Sequence, residues 1–305
     1  MFPGASASSL DEVFWGMVSA FLAFLLGLIW RNVLRFVLNY RAQAFWRPFM
    51  SGRMSVVIGR FRDLEGFEAS GVVGAGDNLA LKDLADHFAA IGFKRFAVYY
   101  NDQLGWGDEA DASPLDGNLI LLGGPDANSL TREVLERLTL GIEFLEVSPG
   151  RLDRIRRGGG SLEPAAGTRR RGIAGPRSWR PGARRRPWRI PVIYDQTADV
   201  LYGPVLHDGA IRADCGVLIR SANPFNPTTE VMIFCGSYGY GTWAAVRFAR
   251  SKLFLSMVPK NSRGIECVLS MDVLRDMPGR PRVEVLRALG EQDPTVRHVV
   301  PRVIE

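Results

Sequence analysis

The sequence is poor in the residues that build metal centres and disulfide frameworks. Among 305 residues there are only three histidines and three cysteines. Cys215, Cys235 and Cys267 are odd in number and far apart, and no CxxC pair is present. This pattern argues against a zinc site or a disulfide framework and favours buried, reduced thiols in a reducing compartment. We therefore expect neither a metal nor a cofactor.

Signatures of known catalytic machinery are missing as well. The chain has no GxSxG elbow, no HExxH pair, no GxGxxG dinucleotide fingerprint and no GK[ST] of a phosphate-binding loop. His87, His207 and His298 fall late in a helical pattern, in a turn and near the tail, and each is more typical of a surface histidine or a hydrogen-bonded structural histidine than of a catalytic base. No catalytic residue can be assigned from a motif, and the sequence resembles no single family.

Basic residues are distributed unevenly. Lysine and arginine number 38 against 32 acidic residues, which gives a net charge of +6. Residues 151–189 alone contain 13 arginines against one Asp and one Glu, so the rest of the chain is acidic. Residues 150–190 are also rich in Gly and Pro, which predicts a disordered linker or insertion. It is either a solvated tether or a contact for anionic lipid, for nucleic acid or for the acidic stretch 101–117.

Residues 13–30 form a long apolar run without charge. At about 1.5 Å per residue a helix of this length spans about 27 Å, close to the hydrocarbon thickness of a bilayer. Trp15 and Trp30 lie near its two ends, as is typical of interfacial anchors. Asp11 and Glu12 before the run argue against a cleaved signal peptide. We predict a single transmembrane helix, preceded by a short extracytoplasmic amino terminus, residues 1–12.

The lysine and arginine asymmetry predicts how this helix is oriented. No basic residue precedes the run, whereas the following segment, residues 31–53, carries Arg31, Arg35, Arg41, Arg47 and Arg53. The positive-inside rule then puts the amino terminus outside and the rest of the chain in the cytoplasm, at the cell membrane. The basic segment either continues as a helix that bends onto anionic headgroups or is a plain stop-transfer flank.

Residues 54–149 and 191–305 alternate short apolar runs with helical patterns. This alternation predicts one α/β fold with a Rossmann-like mixed sheet, interrupted by residues 150–190. The expected strands lie at residues 55–58, 96–100, 118–122, 142–147, 191–194, 200–202, 216–220, 231–235, 265–271 and 282–286. Helices are expected from about residues 78, 129 and 242, with Asp77 capping the first.

Three glycine-rich turns precede these helices. Residues 71–77 and 236–242 share the pattern GxxGxG followed by a capping residue, and residues 123–128 read GGPDAN. Helix starts offer unpaired N–H donors and a positive dipole end, so anions bind there. The candidate ligand-binding residues are Gly123, Gly124, Asn128, Asn223, Gly236, Ser237, Gly239, Gly241 and Thr242. The alternative is that the glycines serve tight turns and that Asn128 is an ordinary helix cap.

These observations lead to three functional hypotheses. The first is a membrane-anchored cytoplasmic module that binds a nucleotide or similar anionic metabolite as a sensor. The second is a hydrolase or transferase acting on a nucleotide or sugar nucleotide, with Asp195, Asp214 or Glu266 as acid or base. The third is a scaffold that attaches to anionic lipid or nucleic acid through residues 151–189. No protein partner is indicated.

Overall fold

The computed structural model describes residues 7–61, 71–93, 95–104, 114–148, 152, 189–258, 262 and 264–289, without the side chains of residues 7–13, 32 and 34–39. Nearly all of the predicted disordered segment 150–190 lies outside the described residues, as does most of the acidic stretch 101–117. The predictions for both therefore stay predictions. The chain divides into two compact units, Met1–Trp46 and Arg47–Glu305.

The first unit is dominated by one long helix, α1, Ala7–Met50. Its segment Phe14–Arg31 is long and apolar enough to cross a membrane, and none of it is buried inside the structure. Phe21 and Trp30 leave 60% and 68% of their surfaces exposed, an unfavourable arrangement in water. The predicted span is thus confirmed in length and composition. Beyond it the helix continues to Met50, as the first alternative for residues 31–53 requires.

The second unit contains twelve strands and four helices among the described residues. In chain order these are β1 Met54–Ile58, α2 Ala75–Ala90, β2 Ala97–Tyr100, β3 Asn118–Leu122, α3 Ser129–Arg137, β4 Ile142–Val147, β5 Ile190–Asp195, β6 Val200–Tyr202, β7 Val205–His207, β8 Ala210–Asn223, β9 Asn226–Gly236, α4 Gly239–Ala249, α5 Lys252–Met257, β10 Gly264–Leu274, β11 Met277–Pro278 and β12 Arg282–Leu289.

The main sheet combines a parallel and an antiparallel half. Its order is β11-β10-β8-β9-β3-β1-β2, with β12 beside β10 and β7 beside β8. The neighbours β2, β1, β3 and β9 are all parallel, whereas β8, β10 and β12 join antiparallel. Strands β4, β5 and β6 form a separate antiparallel sheet. The predicted mixed α/β architecture is confirmed at this level.

Burial explains why the parallel strands were visible in the sequence. Strands β1 (MSVVI) and β3 (NLILL) are buried at every position, as expected when helices or other layers cover both faces of a parallel sheet. The apolar end of β9 is buried in the same way. By contrast, β8 was predicted only over residues 216–220, whereas the strand already starts six residues earlier, at Ala210, because its first part alternates polar and apolar residues.

Candidate functional site

Three glycine-rich turns meet at the carboxyl ends of the parallel strands. The Gly123 N–H donates to the Phe234 carbonyl over 3.0 Å, and a Cβ on Gly124 would lie 3.2 Å from the Gly236 carbonyl oxygen. A Cβ on Gly76 would collide with the backbone of Gly239. Residues 71–77, 123–128 and 236–242 are therefore mutual neighbours. We call this junction the three-turn site.

Several of these glycines allow backbone segments to touch each other. Gly76 packs on Gly239, where the first turns of α2 and α4 meet without room for a side chain. Gly241 packs in the same way on the Cys215 carbonyl. Gly123 has a φ of 99°, a conformation that favours glycine. Packing within the protein is therefore sufficient to explain why glycine occupies these positions.

Two backbone N–H groups of residues 236–242 bind a carboxylate of the protein itself. Asp214, on β8, accepts the Tyr238 N–H at 3.2 Å and the Gly241 N–H at 2.6 Å. Ser237 donates its N–H to the Cys215 carbonyl over 3.0 Å. Burial raises the pKa of Asp214 to about 8, while its hydrogen bonds to backbone N–H groups act in the opposite direction. Asp214 therefore takes the position that the sequence suggested for a ligand anion.

Asn128 is fully buried and holds α3 in place. Its Oδ1 accepts the N–H groups of Leu130 and Thr131 over 3.1 and 3.2 Å, which caps the helix. Its Nδ2 donates to the carbonyls of Val57 and Leu122 over 3.2 and 3.0 Å, fastening the cap to β1 and β3. The alternative that Asn128 is a helix cap, and not a ligand contact, thus accounts for all four hydrogen bonds of its side chain.

Asn223 lies at the other end of the β8–β9 pair. In the register of these strands Gly216 faces Gly236, whereas Asn223 faces Asn226. Its side chain donates to the carbonyls of Leu115 and Gly117 over 2.7 and 2.9 Å. Asn223 therefore closes a turn at the opposite edge of the sheet and does not join the three-turn site.

The sequence did not single out Asp77 as a ligand contact, yet its carboxyl group lies at the centre of this site. Helix α2 starts at Ala75 with Gly74 as its N-cap, so the expectation that Asp77 caps the helix is wrong. Asp77 is only 4% exposed. Its Oδ2 lies 3.1 Å from the point that a Cβ would occupy if Gly123 were replaced by a larger residue. Its Oδ1 has no hydrogen-bond partner among the described residues.

The electrostatics of Asp77 follow from these surroundings. Burial raises its pKa from 3.8 to about 6, and the negative charge of Asp126 adds to the shift. A hydrogen bond from the Thr242 hydroxyl opposes it by stabilising the ionised form. Thr242 was expected to cap α4, but that helix starts at Gly239, and Thr242 points from its first turn to Asp77.

Asp126 provides a second carboxylate beside Asp77. Its side chain is exposed, yet surrounding protein restricts its hydration and raises its pKa, while hydrogen bonds from the backbone N–H groups of Asp126 and Ala127 lower it. Burial raises the pKa of the Cys235 thiol at the end of β9, and the negative charges of Asp126 and Asp77 add to this effect. Ser237, two residues after Cys235, is buried as well. Its hydroxyl group has no hydrogen-bond partner within the described part of the chain. The site is therefore rich in acceptors.

The other two carboxylates considered as acids or bases belong to an ion-pair network elsewhere. Arg287, on β12, contacts Asp195 over 2.9 Å and Glu266 over 2.7 Å. Glu266 also accepts the Gly141 N–H at 2.9 Å. Gly141 directly precedes β4 and Asp195 is the last residue of β5, both in the small sheet. Glu266 and Arg287 lie on β10 and β12 of the main sheet, so the network joins the two sheets. This contact explains both carboxylates without a catalytic role.

Within the described ranges, no group of three or more His, Cys, Asp or Glu side chains is arranged to hold a metal ion. The arrangement can instead accept hydrogen bonds, or exchange a proton, through Asp77 and Asp126. Comparison of the chain with models of protein families, with curated proteins and with solved structures found no match in any of the three. Inferences about function therefore rest on the chemistry of this site.

Proposed function

We propose that the protein is a membrane-anchored sensor or regulatory module whose α/β domain binds a nucleotide or similar metabolite at the three-turn site. One observation carries the proposal. The buried Asp77 carboxyl keeps an oxygen without a partner among the described residues, where three turns meet at the ends of parallel strands.

Physical chemistry supports a ligand at this position. In Rossmann-like sheets, ligands bind at the carboxyl ends of the strands, and the β2-β1-β3-β9 half offers that edge. An unpartnered buried carboxylate destabilises a folded protein, and such groups concentrate where a ligand supplies the missing partner. Asp126, at the surface beside Asp77, provides a second contact on the solvent side.

Thermal unfolding of the full-length chain in detergent, with a panel of nucleotides and nucleotide sugars, tests this proposal. A ligand present at about 100 times its Kd stabilises by about 2.7 kcal/mol, which corresponds to a Tm increase of roughly 5–10 °C for a domain of this size. Asp77→Asn should remove the increase. Asp86→Asn, an exposed position on the same helix, is the matched control and should keep it. No stabilisation by any compound, or equal stabilisation of Asp77→Asn, contradicts the proposal.

The alternative of a hydrolase or transferase gains one specific observation. A carboxyl pKa of about 6 brings Asp77 near the range in which general acids and bases work at neutral pH. This assigns the role to Asp77 in place of Asp195, Asp214 or Glu266. Chromatography of the same incubations distinguishes the two proposals, because only an enzyme forms product, and only with Asp77 present.

We further propose that α1 crosses the cell membrane with the amino terminus outside and the α/β domain in the cytoplasm. The arginines that follow the span support this orientation through the positive-inside rule. A membrane-impermeant maleimide should label Ser8→Cys in intact cells and Ser256→Cys only after permeabilisation. The native cysteines are buried, so their background should be low. The reverse labelling pattern contradicts this orientation.

A further inference from the structure

Several backbone donors of the three-turn site already bond within the protein. In residues 236–242, Asp214 accepts the N–H groups of Tyr238 and Gly241. In residues 123–128, the Gly123 N–H bonds to the Phe234 carbonyl, and those of Ala127 and Asn128 bond to the Gly124 carbonyl. These N–H groups were the reason to expect an anion at the turns. Interactions within the protein already use them.

The site instead presents acceptors. Asp77 Oδ1 is buried and has no partner among the residues that the structure describes. The Asp77 carboxyl lies against Gly123, and the Asp126 carboxyl lies against the next residue, Gly124, so the two carboxylates flank the same turn. The buried Ser237 hydroxyl, also without a described partner, belongs to the turn that contacts residues 123–128. The Arg132 guanidinium near Asp126 donates to the Pro125 carbonyl and so is already engaged within the protein. The negative charges of Asp77 and Asp126 repel a third, so a bare phosphate group is disfavoured here.

We infer that the three-turn site recognises the nucleoside end of its ligand, through hydroxyl or amino groups that donate hydrogen bonds to Asp77 and Asp126, and leaves any phosphate outside. This inference rests on the proposed function and narrows it. Carboxylates are suited to ribose hydroxyl groups because an ionised acceptor makes a stronger hydrogen bond than a neutral one. A neutral donor also supplies the missing partner of Asp77 without bringing a further negative charge.

Titration calorimetry on the full-length chain in detergent at pH 7.5 tests the inference. The probes are adenosine, guanosine, cytidine and uridine, their mono- and triphosphates, and the 2′,3′-dideoxynucleosides. We expect at least one nucleoside to bind as tightly as its triphosphate or tighter. Removal of the ribose hydroxyl groups should weaken that nucleoside about tenfold, the effect of one lost hydrogen bond to a charged acceptor. Alkylammonium ions should not compete.

Two variants separate this inference from the proposed function. Asp126→Asn keeps the side-chain oxygen that accepts the N–H groups of Asp126 and Ala127, and thermal unfolding checks that the variant is folded. It should weaken the binding of the nucleoside and raise the affinity for the triphosphate relative to that for the nucleoside. Asp86→Asn should change neither. The inference is overturned if a triphosphate binds more than ten times as tightly as its nucleoside and Asp126→Asn leaves this ratio unchanged. The proposed function would still stand after that result. Equal competition by simple ammonium ions also overturns it. Failure of every nucleoside and nucleotide to bind overturns both.

Discussion

Replacement of Arg287 by methionine is expected to destabilise the α/β domain by about 3–5 kcal/mol, the usual effect of removing one member of a buried ion pair. The Arg287 side chain is 11% exposed, and its partners Asp195 and Glu266 are 2% and 0% exposed. The variant leaves two carboxylates buried without a counter-charge. It also removes the 2.7 Å hydrogen bond from Arg287 to the Thr197 hydroxyl. Urea denaturation followed by circular dichroism measures the effect.

The same strand provides the control. Arg282 pairs with Asp272, and both side chains are more than half exposed, so Arg282→Met should change stability by no more than about 0.5 kcal/mol. Adding Asp195→Asn and Glu266→Gln to Arg287→Met should recover part of the loss, because the uncompensated charges disappear. If Arg287→Met were as mild as Arg282→Met, the network would not join the two sheets.

Asp77→Asn is expected to stabilise the ligand-free protein at pH 7.5 by up to roughly 3 kcal/mol, at 1.36 kcal/mol for each pKa unit. The pKa of Asp77 is raised from 3.8 to about 6, so the folded state binds its proton more tightly than the unfolded state does. The destabilising effect of ionisation is absent below pH 4, grows as the pH rises, and is complete above pH 6. A neutral amide at this position avoids it at every pH.

The difference in unfolding free energy between wild type and Asp77→Asn, measured from pH 4 to pH 8, checks this expectation. Subtracting the two curves removes the contributions of other titrating groups, of which Asp126 and Cys235 are the neighbours of Asp77. Asp86→Asn should show no such pH-dependent difference. A variant that is less stable than wild type across the whole range would mean that ionised Asp77 stabilises the fold. Together with lost binding, the expected gain would mark Asp77 as a residue kept for function.

The helices and strands that the sequence predicted best are those that can be identified from the local pattern of apolar residues, without any long-range contact. Strands β1 and β3 are short apolar runs, and the segment Phe14–Arg31 of α1 is an apolar run long enough to cross a membrane. The length of β8 was hidden because Arg212 and Asp214 interrupt its apolar pattern. The tie between the sheets could not be predicted, since Gly141 and its partner Glu266 are 125 residues apart. No local pattern contains such a contact.

The same distinction applies to the three-turn site. The rule that ligands bind at the carboxyl ends of parallel strands drew attention to residues 123–128 and 236–242, and the structure places these two turns side by side. That rule cannot reveal that Asp214, from an antiparallel strand, supplies the carboxylate for the second turn. Asp77 was assigned to capping because a shift of two or three residues at the helix start changes where its side chain points.

The pairing of β3 with β9 has a consequence for the order in which parts of this chain fold. Glu230 donates its N–H to Asn118 across 112 residues of chain, so the contact order of this pairing is high. The β8–β9 hairpin is local and can form early, bringing Asp214 to the turn that it organises. Asp77 and Asp126 reach that turn only when the long-range ladder closes. The proposed site is therefore completed only at the last stage of folding, so any ligand that binds there would selectively stabilise chains that have reached that stage.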